Sequence, residues 1–119
     1  MKIFGPGIFE NDVTQRVRDE FKKSVADGKS VYAAADQILN RVVSPLVDSE
    51  RPQVFLALAA LQLEHGLIQP KIKKNALTVI ILNEDDENWL NAPPETIAAR
   101  KKILQELRQK LTETMSGIG

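Results

Sequence analysis

The hydrophobic residues of this chain are most concentrated at residues 54–61, eight consecutive positions that read Val-Phe-Leu-Ala-Leu-Ala-Ala-Leu. At ~100° per residue such a run covers every side of a helix, so no side is left for water. The run is far shorter than the roughly 20 residues that cross a bilayer, and Gln53 and Gln62 bound it. The pattern therefore predicts that a helix over about residues 52–65 lies at the centre of a folded domain.

Four further segments carry apolar residues at helical spacing, each as a stripe along one side. The last of them has the cleanest stripe, with apolar residues at positions 97, 103, 104, 107, 111 and 115. The four predicted helices cover about residues 12–26, residues 30 to Pro45, a segment that opens at Gln69-Pro70, and residues 94–115.

Several helix ends carry capping signals. Asp12 is a candidate N-cap of the first helix and Ser30 of the second, while Asp48 and Ser49 are candidates for the central one. Pro45 predicts an end or a kink of the second helix, because its ring would clash with a carbonyl of the preceding turn.

Residues 77–82 are rich in β-branched side chains and fit a strand as well as a helix. We favour a helix, because no second segment offers a strand to pair with it. A chain of 119 residues fits one domain. The expected fold is therefore all-α: a single domain over residues 1–119, with about five helices and a frayed tail at 116–119.

The N-terminal arm, residues 1–11, is expected to be ordered. Residues 5–7 read Gly-Pro-Gly, which combines two residues of free φ with one of fixed φ and predicts a turn. Phe4, Ile8 and Phe9 flank this turn, and we expect all three to dock on the core.

The arm resembles an uncharacterised bacterial family whose members open with Trp-Gly-x-Gly-x-Phe-(Glu/Asp)-Asn-Asp and continue as helices. Residues 4–12 of this chain read Phe-Gly-Pro-Gly-Ile-Phe-Glu-Asn-Asp, with Phe4 in place of the family's Trp. Arg16 stands where the family often has an acidic residue, so no role is transferred to it. The resemblance implies a small helical domain and brings no activity with it. The positions that fit directly are Gly5, Gly7, Phe9, Glu10, Asn11 and Asp12.

Composition narrows the classes of function. Sixteen basic and sixteen acidic residues cancel, which argues against general affinity for nucleic acid. The absence of cysteine removes disulfides, thiolate chemistry and cysteine metal sites. The apolar stretch within residues 1–7 is too short for a signal peptide. We therefore expect a cytoplasmic protein without a nucleic-acid or membrane partner.

His65 is the single histidine, and it follows Glu64 near the end of the central helix. One interpretation is an acid, a base or a metal ligand. The favoured one is a residue that interacts with the helix C-terminus, because a zinc site would lack its usual ligands. No cofactor and no metal are expected. Glu10 and Asn11 have no capping role in this scheme, so they are candidates for a functional or arm-locking position.

An acidic segment at residues 83–88 contains Glu84, Asp85, Asp86 and Glu87. The segment lacks the pattern of a calcium loop. It is either a solvated connection or a negative patch that binds a basic partner protein. Eight Lys and Arg residues on the last two helices, Arg100 among them, are interpreted as a solvated basic surface, because no aromatic residue lies between them to stack on bases.

The absence of a catalytic constellation favours a non-enzymatic protein-binding module. One form of it would be an immunity-type inhibitor of a basic toxin. The first alternative is an enzyme or metal-binding protein that uses Glu10, Asp12, Glu64 or His65, which would require these groups to converge. The second alternative is a structural homo-oligomer joined through exposed apolar residues, such as Ile81 or Ala98.

Overall fold

The apolar run at residues 54–61 lies within the third of five α-helices in the computed structural model, which describes residues 1–42 and 45–114. Residues 82–93, called the connector below, join the last two helices and include a short 3-10 helix at Asp86–Trp89. The prediction of an all-α domain is confirmed. The helices are α1 (Asp12–Ala26), α2 (Val31–Arg41), α3 (Arg51–Glu64), α4 (Pro70–Ile81) and α5 (Pro94–Glu113).

Helix α3 is the centre of the fold, as its sequence predicts. It packs against α1, α2, α4 and α5. Six of the eight side chains in the apolar run are buried, and Phe55 and Ala60 are partly buried. Each large side chain enclosed in this way stabilises the fold by about 1.5–3 kcal/mol. Helices α1 and α4 pack mainly on α3, whereas α2 packs mainly on α1 and α5 mainly on α4.

The helix starts differ from their predicted caps in two places. Asn11, not Asp12, is the N-cap of α1, and Glu50, not Asp48 or Ser49, precedes α3 without a side-chain cap. Ser30 does cap α2, because its Oγ accepts the Ala33 N–H at 3.1 Å. Helices α3, α4 and α5 instead carry proline in their first turn, where the missing N–H costs no hydrogen bond.

The segment at residues 77–82 is helical up to Ile81, which decides between the two structures that its sequence allowed. Helix α5 ends at Glu113. Met115 and the tail predicted to fray at 116–119 lie outside the described residues, as do residues 43 and 44 just before Pro45. Across the described ranges, none of the helices combines the length and apolar character needed to cross a membrane.

The arm folds back on itself and docks on the bundle. Phe4 N–H donates to the Glu10 carbonyl at 2.7 Å, and Asp12 N–H to the Lys2 carbonyl at 3.0 Å. Ile8 and Phe9 pack against the core, as expected. Phe4 does not: it is 56% exposed. Its neighbour Ile3 is half-buried, as expected where successive side chains of an extended segment point to opposite sides.

Candidate functional site

An ion pair is enclosed where α5 meets the connector. Arg100 Nε lies 2.8 Å from Asp85 Oδ2, and Arg100 Nη2 lies 3.1 Å from Asp85 Oδ1. Arg100 is 2% exposed and Asp85 is 1% exposed. Two charges removed from water are tolerated when they are paired with good geometry and their remaining hydrogen bonds are satisfied. The two-point contact meets the first of these conditions.

Amide side chains supply the remaining hydrogen bonds. Gln53 Oε1 accepts from Arg100 Nη2 at 3.0 Å and from Asn11 Nδ2 at 3.3 Å. Gln53 Nε2 donates to Asp85 Oδ1. The cluster therefore contains one positive charge, one negative charge and two neutral amides, so it carries no net charge into the core.

The same arginine holds the arm. Arg100 Nη1 donates to the carbonyls of Pro6 and Gly7 at 3.1 and 3.2 Å. Asn11 also has a second role, because its Oδ1 accepts the Thr14 N–H at 2.8 Å as the N-cap of α1. One side chain of α5 thereby joins the arm, the start of α3 and the connector.

Glu10 fixes the turn of the arm. Its Oε1 accepts the Gly7 N–H at 2.8 Å. A Cβ atom added at Gly5 or at Gly7 would overlap the Glu10 carboxylate. A side chain at either glycine would therefore displace the Glu10 carboxylate, which is the end of an exposed side chain. This contact gives Glu10 a structural role that the sequence left open.

The other motif residues also contact the arm or the first helix. Asp12 Oδ1 accepts the Lys2 N–H at 2.9 Å, and the Phe9 ring centre lies 5.5 Å from the Arg18 guanidinium carbon. These contacts tie the start of the chain to α1. The six residues that carry the family resemblance thus lie together, in the turn of the arm or at the start of α1.

The four acidic residues of residues 84–87 do not form one surface. Asp85 points into the core, which corrects the expectation of a four-residue patch, while Glu84, Asp86 and Glu87 are exposed. We call these three exposed residues the acidic face, although Glu87 lines one pocket and Glu84 another. Within residues 1–42 and 45–114, none of the three has a salt-bridge partner. Arg100 likewise does not belong to a solvated basic surface.

A groove of about 520 Å³ separates the arm from the connector. Residues 3–6 form one wall, and residues 87–92 with Thr96 form the other. Phe4 lines the arm side, and Leu90, which is 76% exposed, lines the connector side. Trp89 lies at the same wall but is buried, with its ring centre 5.1 Å from the Arg100 guanidinium carbon. The Arg100 cluster therefore supports both walls of the groove.

Glu64 and His65 lie at the other predicted position, the end of α3. His65 follows the last helical residue, and its ring centre is 5.7 Å from that of Phe21. Both side chains are exposed. Glu10 and Asp12 are instead engaged in the arm. Across the described ranges, no three His, Asp or Glu side chains are grouped so that they could hold a metal ion.

Sequence reasoning missed Arg100, Gln53 and the groove. Arg100 had a detectable signal: it lies three residues after Ile97 and four before Leu104, which places it on the apolar stripe of α5. A charged residue on such a stripe needs a buried partner. The sequence does not indicate which of the sixteen acidic residues that partner is.

Comparisons with protein-family models, with curated proteins and with solved structures found no match to this chain. The resemblance of the arm to an uncharacterised bacterial family therefore stays a prediction.

Proposed function

We propose that this chain is a small cytosolic protein-binding module without enzymatic activity, and that its acidic face recognises a basic partner protein. The observation that carries the proposal is the arrangement of residues 84–87. Three carboxylates are exposed and have no salt-bridge partner in the described part of the chain, while the fourth, Asp85, is fixed in the core.

The anchoring of the connector at Asp85 makes this local charge useful for recognition. The chain as a whole is neutral, so the acidic face is a local feature rather than part of a generally negative protein. Exposed charges of one sign steer an oppositely charged partner and select against others. Because Asp85 and Arg100 anchor the connector, the partner meets carboxylates on a backbone segment that is held against the core.

The test is a charge-neutral variant, Glu84→Gln with Asp86→Asn and Glu87→Gln. Partners are first captured from a native lysate, and the affinity of each purified partner is then measured at several salt concentrations. Exposed ion pairs contribute about 0.2–1 kcal/mol each, so we expect the triple variant to bind about tenfold more weakly. Its binding should also depend less on salt.

The matched control removes three negative charges elsewhere, through Asp19→Asn, Asp27→Asn and Glu113→Gln. These residues are exposed and lie outside the connector. The control should keep the affinity of the parent chain. Equal affinities of all three proteins, or equal losses in both variants, would reject the acidic face as the binding surface.

An immunity-type inhibitor of a basic toxin is one form that this function could take. The observation in its favour is again the exposed negative charge at Glu84, Asp86 and Glu87. The inhibitor hypothesis adds one requirement. The captured basic partner must be toxic by itself, and the parent chain must neutralise it while the charge-neutral variant does not.

A structural homo-oligomer is a second candidate. Ile81 and Leu82 are adjacent, exposed apolar residues at the end of α4, and Ala98 on α5 is exposed as well. Sedimentation at high protein concentration tests it. A single monomeric species would reject it, and an oligomer that Leu82→Ser disperses would support it.

A further inference from the structure

The groove between the arm and the connector combines apolar walls with Glu87, one residue of the acidic face. We propose that it binds an extended peptide segment in which basic and apolar side chains alternate. This inference rests on the function proposed above, because the segment would be the part of the basic partner that the acidic face selects.

The first observation is an open backbone edge. Ile3 lies opposite Asn11 in an isolated antiparallel bridge, and the hydrogen bonds are made by the flanking residues. In such a pair the N–H and C=O of the central residue point to the opposite edge. Within the described ranges, the N–H and C=O of Ile3 have no hydrogen-bond partner. An added strand can pair with this edge.

The second observation is a pair of exposed apolar side chains on the two walls. Phe4 belongs to the arm and Leu90 to the connector, and both line the groove. A peptide with apolar side chains at every second position would direct all of them to one side. That side would cover Phe4 and Leu90 and remove them from water, which is favourable.

The third observation is charge. Glu87 lines the groove, and Glu84 and Asp86 lie on the same connector. A basic side chain of the peptide would meet Glu87 at the groove, whereas Glu84 lines a separate pocket. A helical partner would leave the Ile3 edge unpaired, because the backbone groups of a helix are used within the helix. The open edge therefore favours an extended occupant over a helix or over the helical surface of a second copy.

The probe is a short acetylated and amidated peptide in which lysine and valine alternate. The chain contains one tryptophan, Trp89, which lines the groove, so its fluorescence reports occupancy directly. We expect a saturable change with the lysine peptide and none with the matched glutamate peptide. Methylation of the central backbone nitrogen of the peptide should weaken binding several-fold, because it removes a donor from the added strand.

The protein variant is Leu90→Ser, and its matched control is Leu82→Ser. Leu82 is 66% exposed and lies outside the groove. Both substitutions change exposed leucines, so both proteins should fold. We expect Leu90→Ser to weaken binding about tenfold and Leu82→Ser to leave it unchanged.

Three results would overturn the inference. The first is no saturable fluorescence change with the lysine peptide. The second is binding that Leu90→Ser and backbone methylation leave unchanged but the charge-neutral variant abolishes, in which case the proposed function survives and the groove is not the site. The third is a monomer–dimer equilibrium that Leu90→Ser abolishes, which would make a second copy the occupant.

Discussion

Arg100 and Asp85 form a two-point ion pair in the interior, fifteen residues apart in the chain, with nitrogen–oxygen distances of 2.8 and 3.1 Å. This pair connects the two segments that border the groove. Asp85 fixes the connector that carries the acidic face, and Arg100 holds the carbonyls of the arm. The two walls of the groove are therefore coupled through one side chain.

Removal of the Arg100 guanidinium should lower the free energy of unfolding. Arg100→Met leaves Asp85 buried without its partner, and we expect a loss of about 3–5 kcal/mol in the free energy of unfolding. Urea unfolding followed by circular dichroism measures it, with Arg108→Met, an exposed arginine on the same helix, as a control that should change stability by less than about 0.5 kcal/mol.

The double variant Arg100→Met with Asp85→Asn tests the pairing itself. Removing both charges leaves no uncompensated ion, so the double variant should lose less stability than the two single variants added together. If Arg100→Met does not fold, recovery of folding in the double variant would itself show that the two charges interact, because the double variant contains no unpaired buried charge. Strict additivity would show that the two charges do not interact.

The N-cap of α1 can be tested at two adjacent positions. Asn11→Ala removes the acceptor of the buried Thr14 N–H and a hydrogen bond to Gln53, and we expect a loss of about 2 kcal/mol or more. Asp12→Ala removes a charge from the first turn and a contact with Lys2, and should cost under about 1 kcal/mol. Chemical denaturation compares them, and a larger effect at Asp12 would restore it as the cap.

The contact between Gly5 and Glu10 predicts that substitutions at these two residues have non-additive effects on stability. Gly5→Ala should cost about 1 kcal/mol, because the added Cβ displaces Glu10 and breaks its bond to the Gly7 N–H. In a Glu10→Ala background the obstruction is gone. The same Gly5→Ala change should then be neutral or stabilise by about 0.4–1 kcal/mol, since alanine restricts the unfolded chain. A similar loss in both backgrounds would contradict the role given to Glu10.

Asp36 on α2 makes stability depend on pH. The hydrogen bond from Lys71 holds the pKa of the Asp36 carboxyl below its ordinary value, the Gln69 amide acts in the same direction, and partial burial acts against them. A lowered folded-state pKa stabilises the protein above the unfolded-state pKa, and this contribution is lost as the pH falls through the folded-state pKa.

We therefore expect Asp36→Asn to cost no more than about 1 kcal/mol at neutral pH, because the pair is half exposed. The difference from the parent chain should shrink as the pH falls below about 3.9. Thermal unfolding across an acid pH series measures it. A difference that stays constant down to the acid limit would show that the Asp36 charge does not contribute.

The sequence alone determined the elements and the centre of this fold. A run without a polar side chain has to be enclosed, and the stripes of the other helices indicate which sides enclose it. Pro70 marked the start of α4, and α3 and α5 also carry proline in the first turn, where there is no hydrogen bond to lose. The glycine-rich motif likewise located an ordered turn in the arm.

The tertiary structure alone decided which residues form the candidate site. Nothing local distinguishes Asp85 from its acidic neighbours, and only the arrival of Arg100 from α5 turns it inward. Asn11, not Asp12, is the cap because its Oδ1 accepts the Thr14 N–H, and its amide nitrogen also reaches Gln53 on α3. Periodicity and capping act within about one helical turn, whereas a buried ion pair depends on which distant segments meet. The sequence therefore specified the helices, and the packing of the helices determined which charged residues are buried in the candidate site.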